Sequence, residues 1–398
     1  MKNLLFLLLS LLCMSCSSPK ENQQSALEPG SFGYDLNFLK NQDDKLVVLM
    51  NEDSTAQVIV SAKYQGKVFT STAAGLSGRS FGWVNYKAFD GPQDAHMNAY
   101  GSENRLWLGP EGAQFSLFFK PGAEMTFDNW RTPAAFDSEP WEIVSADEST
   151  VVVTTPLMLT PSSGTKLNMR IDRLVRLMTG AELAEKLGTP LAGVNVVGYA
   201  TENTITNTGD LDWTEKTGAP CIWMLDMFVP SPGVTVLIPY KENAEGKVAT
   251  TDYFGQIPPD RVRYTEGMLY FKADGKSRGK LGIPPQRAKP IAGSYDAVNK
   301  VLTLTVFDVD SKGTYLNQEW KLVPDPYRGD AVNAYNDGPL QDGSQMGPFY
   351  ELESVSPAAF LGPGQGLTHR HSVIHLMGSE AELDHIARAT LGVTVVGL

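Results

Sequence analysis

Apolar and polar positions alternate with a period of two along most of the chain. In KLNMRIDRLVRL (166–177), Leu167, Met169 and Ile171 fall on one side with polar residues between them, the spacing of a half-buried strand. KLVVLM (45–50), AQVIVSA (56–62), QFSLFF (114–119), TVVVTTP (150–156) and GVNVVGYATENTITN (193–207) are likewise β-branched or alternating and end in turn residues. So are CIWMLDMFV (221–229), VTVLIPY (234–240), MLYFKA (268–273), VLTLTVFDV (301–309) and LNQEWKLV (316–323). Only two segments carry helical signals. TGAELAEKLG (179–188) and SEAELDHIARATLG (379–392) open on Thr179 and Ser379, each with a glutamate three residues on, and close on glycine. Many strands with two short helices predict an all-β chain of stacked, large antiparallel sheets, in one domain over residues 33–398.

The first residues differ in kind. Lys2 precedes the apolar run LLFLLLSLL (4–12), too short to span a bilayer, and CMSC then sets Ser15 before Cys16. This is the shape of a bacterial lipoprotein signal: residues 1–15 are removed and Cys16 is acylated. SSPKENQQSALEPG is polar and forms a flexible tether over residues 16–32. The expectation is an exported lipoprotein held by its lipid at the outer membrane, on the periplasmic or the cell-surface face. Cys221 is then the one cysteine left in the body, so no internal disulfide and no thiolate zinc site forms. A net charge of −12 excludes the basic footprint of a nucleic-acid binder.

Candidate chemistry gathers in ELESVSPAAFLGPGQGLTHRHSVIHLMG (351–378), which holds three of the five histidines. On a strand, His369, His371 and His375 share one face, and Glu351 and Glu353 share another with Leu352 opposed. Two like charges about 6.6 Å apart along a strand raise one pKa, as acid–base work requires. Glu353 and Glu351 are the candidate catalytic carboxylates, with His371 or His375 on a neighbouring strand as partner. Two solvated glutamates at a sheet edge are the plain alternative. His371 and His375 lie about 13 Å apart on a strand, too far to share an ion. A divalent metal would need His369 and His371 with Glu351, Glu353 or His96; histidines simply hydrogen-bonded on a sheet face are the alternative. No cofactor motif is present: GPEG and GPGQG lack the lysine and helix of a phosphate loop. Upstream, GSENRLWLGPEG sets Glu103, Arg105 and Trp107 on one face, a guanidinium beside an indole that suits sugar hydroxyls and a sugar C–H face. His96 and Asn98 lie just before it. Trp130 reads as a cleft wall or a core residue.

Four blocks in order resemble a known family: YQGKVFTSTAAGLSGRSFGWVNY (64–86), YGSENRLWLGPEGAQFSLFF (100–119), ATENTITNTGDLDW (200–213) and residues 351–378. They resemble uncharacterised secreted bacterial lipoproteins of the galactose-mutarotase-like superfamily. The resemblance implies a β-supersandwich with a sugar-sized cleft. In aldose epimerases of that superfamily a late-strand glutamate acts as base and a mid-chain histidine as acid. The resemblance implies Glu353 or Glu351 for the glutamate, Arg105 for a hydroxyl-holding arginine and His96 for a sugar-holding histidine. The mid-chain histidine has no counterpart, because none occurs between His96 and His369. Two functions follow: a carbohydrate-active lipoprotein using a Glu/His pair, or a non-catalytic glycan-binding lipoprotein. A carbohydrate and the membrane are the expected partners, with His96, Asn98, Glu103, Arg105, Trp107 and His369 holding the sugar.

Overall fold

Alternation becomes burial in Leu167–Leu177, where Leu167, Met169, Ile171 and Val175 are buried and Asn168 and Arg170 exposed. In the computed structural model, which describes residues 27–398, this strand lies within a ten-stranded sheet. Its spatial order is Val262–Thr265, Met268–Lys272, Val234–Pro239, Ile291–Asp296, Val301–Phe307, Gly366–Met377, Asn195–Asn207, Leu167–Leu177, Thr150–Leu159, Glu142–Ala146. Neighbours pair antiparallel throughout. A five-stranded antiparallel sheet packs on it, in the order Gly279–Ile283, Val332–Asn336, Tyr350–Val355, Cys221–Phe228, Arg105–Gly109. A third sheet, Val47–Met50, Gln57–Ser61 and Lys67–Thr72, joins the Arg105 strand's start through a Val68–Asn104 bridge. The expected all-β architecture of large antiparallel sheets is present.

Both expected helices form with complete capping boxes: Gly180–Leu187 behind Thr179 and Glu182, Glu380–Thr390 behind Ser379 and Glu382. They cover the outer face of the large sheet, where Leu183, Leu383 and Ile386 pack with Ile374 and Leu376. Period two then sends His371, Val373 and His375 of the same strand inward, between the sheets.

Two features depart from expectation. An eleven-residue helix, Phe32–Gln42, is capped by Ser31, and Phe32, Leu36 and Leu39 are buried along one stripe. Phe32 is thus a core residue rather than the end of a tether, and burying it is worth ~1.5–3 kcal/mol. Residues 114–119 and 316–323 are apolar but irregular, because their backbone groups bond in turns: Ala113 N donates to Glu319 O, Leu117 N to Pro110 O. Residues 1–15 and Cys16 lie outside the described residues.

Candidate functional site

The five-stranded sheet has two faces, and pairing register decides what each carries. Arg105, Leu225, Glu353 and Asn333 stand side by side across four strands. The next rank is Met227, Glu351, Tyr335 and Lys280. Trp107 stands opposite Trp223. All of these point away from the large sheet, while Leu106, Met224, Asp226, Leu352 and Ser354 point toward it. Above the polar face opens a cleft of about 120 Å³, walled by Phe127, Trp130, Trp223, Phe254, Trp320 and Phe349.

Charges on this floor are paired diagonally. Arg105 Nη2 lies 3.2 Å from Glu351 Oε1, and Lys280 Nζ lies 2.9 Å from Glu353 Oε2. The Trp223 indole N–H donates to that same Glu353 oxygen at 2.8 Å. Arg105 stacks 4.1 Å above the centre of the Trp107 ring, and Lys280 Nζ sits 4.6 Å above that of Trp223. Glu111, carried in by the turn after Gly109, accepts from the Trp130 indole N–H at 3.1 Å.

Burial sets the protonation chemistry. Glu351 is pushed up to about 8 by desolvation, with Arg105 opposing and nearby Glu353 reinforcing the rise. Desolvation also raises Glu111, against the pull of Lys280. Burial would lower Lys280, but Glu353 and Glu111 outweigh it and its pKa is raised. Arg105 Nε, Trp107 Nε1 and Glu353 Oε1 are buried without a hydrogen-bond partner, each at a cost of ~1–3 kcal/mol.

The histidines go elsewhere. His369, His371 and His375 do share a face, but it is the face inside the sandwich, and all three are buried. Ser354 Oγ bonds His369 Nε2 and His371 Nδ1, each at 2.8 Å, and His371 Nε2 meets Asp226 Oδ2 at 2.7 Å. Asn104 Nδ2 donates to the other oxygen of Asp226 at 2.5 Å, and Arg173 donates to Asn104 and Asn203. His375 bonds Thr303 and Glu103, and stacks on Phe81 at 4.2 Å. Burial, with His371 beside it, pushes His369 down to about 3. Glu353 and Ser354 are chain neighbours on opposite faces of one strand, so the expected pairing of Glu353 with His371 or His375 does not form. The sheet itself lies between them.

Other expectations divide. Arg105 and Trp107 line the cleft as read, and His96 stacks on the cleft residue Phe127 at 4.5 Å, at the rim. Glu103 does not join them: the regular strand begins only at Arg105, and the Glu103 carboxylate turns inward to Ser71 and His375. His369 is likewise held inside. The Asn98 amide donates to Asp137 at 2.6 Å. Cys221 is buried, and its thiol is pushed up to about 12. Among the described residues no group of three or more His, Cys, Asp or Glu converges as a metal site.

A model of the family described as "Family of unknown function (DUF6786)" matches residues 30–397. The chain belongs to that family. No curated protein matches it in sequence. Among solved structures, Slr1438 protein from Synechocystis sp. PCC 6803 is 13% identical with a TM-score of 0.51, over 83% of this chain and 95% of that one. A galactose mutarotase-like protein from Lactobacillus casei ATCC 334 is 12% identical with a TM-score of 0.49, over 83% and 99%. At such identities the likeness concerns the fold alone.

Glu111, Trp223, Lys280 and Arg278 are among the cleft residues that sequence reasoning missed. Glu111 stood in GPEG, read only as a turn. Lys280 carried a signal: a lysine alternating with Leu281 in a strand-like run, which needs a buried anion if that face is covered.

Proposed function

We propose that this cleft binds a carbohydrate and performs acid–base chemistry on it. One observation carries the reading: Glu351 lines an aromatic-walled pocket with its pKa pushed up to about 8 by burial, and Glu353 stands on the same face of the strand, buried and paired to Lys280, which also lines the pocket. A proton donor beside an ion-paired carboxylate is the equipment for moving a proton at a sugar oxygen. Indole and phenyl walls suit the C–H faces of a sugar ring. The Arg105 and Lys280 side chains, which line the cleft, suit its hydroxyls. In this reading Glu351 gives the proton, Glu353 with Lys280 accepts or steadies charge, and Arg105 and Trp107 orient the ring. Glu111 is a second buried acid at the same wall.

A second reading, a glycan-binding cleft without turnover, has its own support. Both strand glutamates are already tied to cations, Glu351 to Arg105 and Glu353 to Lys280. Calorimetry against a saccharide panel, together with product and anomer-exchange analysis by NMR, separates the two. Binding by wild type and Glu351→Gln with turnover by wild type alone supports chemistry. Binding by both without turnover by either supports the second reading, and no binding by either sinks both.

The N-terminal assignment belongs to the same proposal: a lipoprotein of the outer membrane, anchored through Cys16, presenting the cleft to envelope glycans. Labelled-palmitate incorporation and membrane fractionation of wild type and Cys16→Ala test it; a Cys16→Ala chain still labelled and pelleting with membranes would refute it.

A further inference from the structure

Three cationic side chains line the cleft. Arg105 lies against Glu351, and Lys280 is paired with Glu353. Arg278, at the cleft edge just before the Gly279–Ile283 strand, is exposed and makes no ion pair among the described residues. It is nonetheless fixed in place. Its guanidinium lies 4.0 Å from the centre of the Phe254 ring, which sets its plane. Its Nε donates to Tyr335 Oη at 3.2 Å, and Tyr335 in turn donates to Asp337 Oδ1 at 3.1 Å, which sets its rotation. With Nε committed, the Nη1–Nη2 edge remains, a fork whose spacing matches the two oxygens of a carboxylate, sulfate or phosphate. Lysine at this position would offer a point charge instead of a fork.

We propose that Arg278 recognises an anionic substituent on the bound saccharide, so that the cleft selects acidic over neutral sugars. The proposal rests on the carbohydrate reading of the cleft and names the class of carbohydrate. The chain's net charge of −12 repels anions at long range, but salt screens that repulsion beyond ~8 Å at physiological strength. A local, oriented cation therefore decides which sugar enters.

Calorimetry on the full-length protein in detergent tests this. The paired probes are galacturonate and glucuronate against galactose and glucose, with galactose 6-sulfate and galactose 6-phosphate as further arms. At least one acidic probe is expected to bind about tenfold tighter than its neutral counterpart, and the tightest arm identifies the anionic group. Arg278→Gln should erase that preference while leaving neutral binding within about twofold, and Arg278→Lys should keep part of it. Equal binding of acidic and neutral probes by wild type overturns the proposal and leaves the carbohydrate reading standing. So does an Arg278→Gln variant, shown folded by its melt, that weakens both classes alike. Failure of every probe to bind overturns the carbohydrate reading and this proposal together.

Discussion

Lys280 and Glu353 form a buried ion pair, Nζ to Oε2 at 2.9 Å, across two strands of the five-stranded sheet, with Val332–Asn336 between them. Neither charge has water to fall back on. Removing one partner leaves the other uncompensated, a loss of ~3–5 kcal/mol. Lys280→Met should therefore lower the urea midpoint sharply. Adding Glu353→Gln to it should recover part of the loss, because the stranded charge is then gone. A double-variant loss equal to the sum of the Lys280→Met and Glu353→Gln losses would show that the pair is not coupled.

Glu351 makes stability pH-dependent in a definite direction. Its folded pKa, about 8, lies above the ordinary 4.5, so the folded protein holds a proton that the unfolded chain releases between those values. Its contribution is complete below about pH 4.5 and is lost as pH rises through about 8. Relative to Glu351→Gln, wild type should lose stability over that window in parallel denaturant titrations. A turnover that needs protonated Glu351 should fall over the same upper limb.

Phe127 lines the cleft yet is 59% exposed, so its ring contributes little to the core. Phe127→Ala should weaken saccharide binding about threefold to tenfold with an unchanged urea midpoint. Trp223 is almost wholly buried beneath Lys280 and should, as alanine, damage both. Binding and midpoint measured on one pair of variants check the contrast.

His371 reaches Asp226 and Ser354 inside the sandwich, where no ligand of the cleft can touch it. His371→Ala should cost ~1–3 kcal/mol, since it removes a buried hydrogen-bond partner from Asp226 and Ser354. The folded fraction should bind saccharide as wild type does. A variant of normal stability and altered turnover would restore the histidine to the chemistry.

What was readable in the sequence was what is local. Period two put Glu351 and Glu353 on one face, and Arg105 and Trp107 on another strand's cleft face. Capping boxes located the helices at 180–187 and 380–390. Which way a face looks was not readable, because Ser372, Val373, Ile374, His375 and Leu376 are all buried, so the pattern there has no wet side. Glu103 slipped because alternation was extended two residues beyond the point where pairing starts. The irregular runs at 114–119 and 316–323 look like strands by composition alone. What they do instead is bring Phe118 and Trp320 against Trp130.

The Arg105–Glu351 contact joins residues 246 apart in sequence, and Lys280–Glu353 spans 73. The walls of the cleft are thus borrowed from distant stretches of chain. Such a pocket has no partly built form: it exists only after the longest loops have closed, which places this domain among slowly assembling β proteins. No excised half can carry it, and a single nick that lets the two ends drift apart removes it whole. Conversely, whatever settles into the cleft holds distant parts of the chain together, and each decade of ligand above its dissociation constant tightens the whole fold by about 1.4 kcal/mol.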